Sequence, residues 1–161
     1  MTTARRLQSG GLIDRSRRIR FKFNGKDYSG HPGDSLAAAF LAQGVRCFGR
    51  SFKYHRPRGV VGAGAEEPNA LVQVGEGALS TPNLRATQVE LYEGLIARTV
   101  NGWPSLAFDV GAINNRLSRL LPAGFYYKTF MWPRSAWMRY EHYIRRAAGL
   151  GHAPSLPDTD R

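Results

Sequence analysis

A chain of 161 residues with 23 Lys and Arg against 12 Asp and Glu, net +11, is long enough for one domain with a real core and well short of a multidomain enzyme. Its longest apolar run, Leu36 to Ala42, is too short to cross a bilayer, and no charged-then-apolar signal opens the sequence, so a cytoplasmic protein with no membrane partner is expected. The lone Cys47 excludes an intrachain disulfide frame, agrees with a reducing compartment, and reads as a small packing residue.

Residues 1–20 hold six Arg and one Asp, which reads as a basic flexible arm over 1–18; the segment lacks the apolar face of a mitochondrial targeting helix. Ile19-Arg-Phe21-Lys-Phe23 alternates apolar and basic with period two, the pattern of a strand with one buried face. Asn24-Gly25 tolerates the positive φ values of a type I′ turn, so Lys26 to Ser29 should pair back as a hairpin. Asp34 is then placed to N-cap a helix over Ser35 to Gln43 that stops at Gly44. Later strands are expected at Ala70 to Val74 and at Ala86 to Leu91. A hairpin followed by a helix and further strands is how a β-grasp domain begins, and the expected fold class is α+β.

From Ser105 to Leu121 the period changes. Leu106, Val110, Ile113, Leu117 and Leu120 recur at intervals of four, three, four and three, which predicts an amphipathic helix capped by Ser105. A second helix is expected over 134–148, with Trp137, Tyr140, Ile144 and Ala147 sharing a face. The tail from His152 to Arg161, with Pro154 and Pro157, has no packing signal and reads as a linker. The expected organisation is an arm over 1–18, a β-grasp domain over 19–103, a helical extension over 104–151 and a linker or tail over 152–161, without internal repeats.

Catalytic chemistry lacks its parts. His31, His55, His142 and His152 are scattered without metal-ligand spacing, and Glu66-Glu67 is an acidic pair with no evident partner. Gly59, Gly62 and Gly64 do not form the G-x-G-x-x-G dinucleotide fingerprint. The run from Arg46 to Arg58 interleaves Phe48, Phe52 and Tyr54 with Arg50, Lys53 and Arg56, a composition that suits single-stranded nucleic acid as well as an acidic partner surface. Phe125, Tyr126, Tyr127, Phe130, Met131 and Trp132 crowd between Gly124 and Pro133; the run fits either an interface or a loop plugging the core beneath the helices.

Four segments carry a more specific signal. Gly33 to Val45, Ser51 to Gly59, Glu67 to Val72 and Ala123 to Pro133, in that order, resemble the N-terminal region of the α subunit of heterotetrameric sarcosine oxidase. The resemblance implies a β-grasp domain of [2Fe–2S] ferredoxin type that has lost its cluster. On the Cys-x4-Cys-x2-Cys spacing of a plant-type loop, the ligand positions fall on Gly62, Glu67 and Ala70, and Arg85-Ala86-Thr87 resembles the family's Arg-Ala-Cys, which puts the fourth at Thr87. This degenerate cluster site implies that the chain itself holds no cofactor or metal and has no catalytic residue. Arg56, Arg58, Tyr126, Tyr127, Lys128, Phe130 and Trp132 become interface candidates, facing the remaining α-subunit domains and other subunits of a hetero-oligomeric oxidase. The complete enzyme, on this resemblance, oxidatively demethylates sarcosine or a related secondary amine and carries FAD, FMN, NAD and tetrahydrofolate. A basic, cluster-free adaptor that binds nucleic acid is the alternative.

Overall fold

The computed structural model describes residues 5–121, 124 and 130–157. Strands β1 (Ile19–Phe23) and β2 (Lys26–Gly30) form the expected antiparallel hairpin, and Asn24 and Gly25 take φ of 49° and 75° as the type I′ turn requires. The period-two pattern is realised literally: Ile19, Phe21 and Phe23 are buried and Arg20 and Lys22 face water. Helix α1 (Leu36–Ala42) follows, then a small antiparallel pair, β3 (Gly49–Arg50) with β4 (Pro57–Arg58). Strands β5 (Leu71–Val74), β6 (Thr81–Arg85) and β7 (Ile96–Thr99) complete a five-stranded sheet in the order β2-β1-β7-β5-β6. Only β1 and β7 run parallel; the other pairs are antiparallel.

The sheet grips α1, and the core lies between them. Phe40 is fully buried at its centre, with the rings of Phe21, Phe23, Tyr28 and Phe48 at 4.7 to 5.3 Å between centroids. Leu36, Ala39, Val72, Leu95 and Ala97 close the space around it. This is a β-grasp domain of α+β class, with the helix anchored by aromatic burial rather than by its own length.

Several local expectations are corrected. Ser35, not Asp34, caps α1: its Oγ accepts from the Ala38 amide at 3.2 Å. Asp34 turns the other way, receives both terminal nitrogens of Arg6 at 2.6 and 2.7 Å, and accepts from the His31 amide at 2.9 Å. Residues 86–91 are not a strand. Their carbonyls serve the helix start instead: Ala37 N donates to Ala86 O and Leu36 N to Val89 O, while Leu91 N returns to Asp34 O. Ala86, Val89 and Leu91 are nonetheless buried, which is why the segment carried an apolar pattern. The sheet uses Thr81–Arg85 in its place, an edge strand where Pro82 costs no ladder bond.

The helix expected over 105–121 is broken into a 3₁₀ turn at Val110–Ala112, a four-residue α2 (Ile113–Arg116) and a 3₁₀ turn at Ser118–Leu120. Asp109 caps its start, accepting from Gly111 N, whereas Ser105 Oγ accepts from Phe108 N in a local turn. Only Leu106 of the periodic set packs on the core; Ile113 is 57% and Leu120 75% exposed. Apolar periodicity stabilises a helix when a surface receives the face, and among the described residues none covers Ile113 or Leu120.

The last helix, α3 (Trp137–Ala148), agrees with expectation; it is preceded by a 3₁₀ turn at Arg134–Ala136 and ended by Gly149 in the left-handed region at φ 73°. Tyr140, Ile144 and Ala147 lie half-buried along one face as expected, but Trp137 is 40% exposed.

Candidate functional site

Between β4 and β5 the chain curls around one side chain. Glu67 is fully buried, and its carboxylate accepts four backbone amides: Val61 N and Gly62 N on Oε2, both at 2.7 Å, and Asn69 N and Ala70 N on Oε1, at 2.6 and 3.1 Å. Each oxygen is served from one end of the loop. At Gly62 the curl is tight: a Cβ there would stand 3.0 Å from the Glu66 carbonyl oxygen, which would have to give way by a few tenths of an ångström. Burial pushes the Glu67 carboxyl up, but the amides outweigh it and hold the group below its ordinary value, so it is ionised.

The structure brings Gly62, Glu67 and Ala70 into one curl, and Thr87 closes it by donating from its hydroxyl to Gly64 O at 2.7 Å. Ala86 N donates to Ala70 O, and Arg85 Nε to Glu67 O at 3.1 Å. This donor set does not fit a [2Fe–2S] cluster. No thiolate stands at any of the four positions, and the one acidic side chain spends both oxygens on the loop's own amides. Anaerobic incubation of the chain with iron and sulfide should therefore leave no stoichiometric cluster and no cluster absorption in the visible; a bound cluster would overturn that assignment.

The basic run from Arg46 to Arg58 has a second anchor. Asp109, its side chain 1% exposed, accepts from the amides of Trp103 and Gly111 through Oδ1, and lies 2.7 Å from His55 Nδ1 and 3.8 Å from Arg50 Nε through Oδ2. Arg50 also bonds the carbonyls of His55 and Leu106, and Asn101 clasps the Arg50 backbone from both sides. The Tyr54 hydroxyl donates to Leu121 O, and Arg56 stacks over the Tyr54 ring while its Nε donates to Asn115. The β3–β4 hairpin is thus a cradle for residues 103–121. Sequence reasoning missed this use of Asp109 and His55; the available signal was an Asp directly before Val110, a capping position.

Among the interface candidates, Arg56 is engaged as described and Arg58 is exposed on β4. Phe130 packs its ring on Tyr140 and Tyr143, at 5.4 and 6.4 Å, whereas Trp132 is 85% exposed although its carbonyl accepts from the Tyr140 hydroxyl. An open apolar groove lined by Phe130, Met131, Arg134 and Trp137 runs beside it. Tyr126, Tyr127 and Lys128 lie outside the described residues.

A sheet gripping one helix, with a curled loop leading into β5 where a cluster would be cradled, defines a ferredoxin-type β-grasp domain. Residues 16–102, more than half of the chain, match the family described as 2Fe-2S iron-sulfur cluster binding domain, and the chain belongs to that family. It is 60% identical over 156 residues to sarcosine oxidase subunit alpha from Rhizobium meliloti (strain 1021), a match covering 96% of this chain and 16% of that relative. The subunit alpha of sarcosine oxidase from Corynebacterium sp. (strain U-96) is 38% identical over 97 residues, 58% of this chain and 10% of its own length. This chain therefore spans a small part of the curated relatives it matches. Among solved structures, the crystal structure of L-proline dehydrogenase from P. horikoshii superposes with a TM-score of 0.43 at 19% identity, over 57% of this chain and 17% of that one.

Proposed function

We propose that this chain is a non-catalytic structural and interface domain of a sarcosine-oxidase-like α subunit. The observation that carries the reading is the 60% identity to a sarcosine oxidase subunit alpha over 96% of the chain. Support comes from the extension, where Phe108, Leu120 and Trp132 present large apolar surfaces outward, the composition of a surface meant to be covered. In this proposal 1–18 is an arm, 19–103 the β-grasp domain, 104–151 the extension that faces partner domains, and 152–161 a tail. The partners are the remaining α-subunit domains and further subunits of a hetero-oligomeric oxidoreductase. That complete enzyme would oxidatively demethylate sarcosine or a related secondary amine, with FAD, FMN, NAD and tetrahydrofolate bound elsewhere. A cytoplasmic setting belongs to the same proposal; among the described residues no helix is long and apolar enough to cross a membrane.

Hydrogen exchange tests the reading. In the 161-residue chain alone, the amides of α3 should exchange far faster than those of β1 and β5, and should slow when the chain is part of a complete sarcosine-oxidase-like α subunit. Equal protection of α3 and the strands in the isolated chain would sink the interface assignment. The nucleic-acid alternative is weakened because Tyr54 and Arg56, which would have to stack and pair with a strand, are spent on residues 115 and 121. Binding to a single-stranded oligonucleotide with a steep salt dependence would restore it.

A further inference from the structure

Glu67 poses a physical problem. A fully buried carboxylate loses its hydration, which strongly disfavours burial unless strong hydrogen bonds replace it. Here the replacement is complete: four amides converge on two oxygens, two from residues 61 and 62 and two from residues 69 and 70. Successive amides turned toward one point form an anion-binding nest, the backbone device that elsewhere holds phosphates and iron–sulfur clusters. In the family to which this chain belongs the loop is where a cluster is held, and that group is anionic.

We propose that the Glu67 carboxylate is the resident anion of this loop, a covalently attached substitute for the cluster, and that the nest it fills is an anion site able to take a small monocarboxylate once the side chain is removed. The loss of cysteines then left no void. The converging amides kept an anion to solvate, and the carboxylate ties residues 61–62 to residues 69–70 as a cluster would tie the segments that ligate it. Through the Ala70 carbonyl, which accepts from Ala86 N, and the Ala86 carbonyl, which accepts from Ala37 N, the nest is coupled to the start of α1. Glu67 is a structural group in this reading and takes no part in electron transfer.

The test uses the full chain carrying Glu67→Ala, titrated with sodium formate against sodium chloride at equal ionic strength. The variant should melt about 10 °C or more below the wild type. Formate should move the amide resonances of Val61, Gly62, Asn69 and Ala70 in the variant but not in the wild type. At ten times its dissociation constant it should also raise the variant's Tm by about 3–5 °C. Formate that leaves those four amides unmoved, or moves them equally in both proteins, overturns the proposal. Should Glu67→Ala fail to fold, Glu67→Gln decides. Its carboxamide has one acceptor oxygen for two pairs of donors, so its Tm at pH 7 should lie clearly below that of the wild type, with the gap narrowing as acid protonates the wild-type carboxyl. Equal Tm values at pH 7 would overturn the proposal as well.

Discussion

Replacing Phe40 by alanine should cost about 3–5 kcal/mol of stability, read as a lower urea midpoint at unchanged slope. Phe40 is fully buried and touches the rings of Phe21, Phe23, Tyr28 and Phe48, so deletion removes the shared partner of four aromatic side chains. The seven residues of α1 are too few to hold a helix without that anchor. Phe40→Leu should cost less, about 1–2 kcal/mol, because most of the volume remains. A loss below about 1 kcal/mol for Phe40→Ala would mean that the core can collapse around the gap and that the helix is held otherwise. The effect should reach the cluster loop. Helix α1 is bonded to Ala86, and Ala86 to Ala70 beside Glu67, so amides of residues 61–70 should exchange faster in the variant than in the wild type.

What could be read from the sequence follows the range of the interactions involved. The β1–β2 hairpin and α3 were legible because their determinants are local: alternation at Ile19 to Phe23, Asn24-Gly25 at the turn, and the helical spacing of Tyr140, Ile144 and Ala147. Residues 86–91 misled because burial alone produces an apolar pattern, and nothing in the segment says that its carbonyls meet a helix N-terminus instead of a strand. The extension misled in the opposite sense. Its periodic leucines and isoleucine imply a helix face, but Ile113 and Leu120 find no surface within the described residues and the helix shrinks to one turn. At the candidate site, the positions Gly62, Glu67, Ala70 and Thr87 came from resemblance. The role of Glu67 could not, because a carboxylate that satisfies four amides of its own loop is a fact of three-dimensional closure. The same holds for the pairing of His55 with Asp109 across 54 positions of sequence.

That pairing supports the second large prediction. Asp109→Ala should destabilise the chain by about 3–5 kcal/mol at pH 7, the usual cost of removing one partner from a buried charged cluster. The Trp103 and Gly111 amides lose their acceptor, and His55 and Arg50 lose the carboxylate they face. Asp109→Asn should be milder, since the carboxamide oxygen can still serve both amides while its NH₂ meets His55 Nδ1 as an acceptor. Both variants should differ from the wild type in their response to acid, because neither carries a titrating group at position 109. Burial pushes the Asp109 carboxyl up, but the Trp103 amide and His55 more than reverse it, so its folded pKa lies below the ordinary carboxylate value. A carboxyl depressed in the folded state contributes stability that is fully present above its unfolded pKa and is lost as pH falls through the folded one. Wild-type stability should therefore decline below about pH 4, with part of that slope removed in Asp109→Asn and the part due to Glu67 remaining. Hydrogen exchange should locate the damage at residues 50–56 and 103–111, where the hairpin holds the extension. An Asp109→Ala variant as stable as the wild type, or a wild type and Asp109→Asn with identical acid slopes, would show that the cradle is held by Asn101 and Arg50 without the carboxylate.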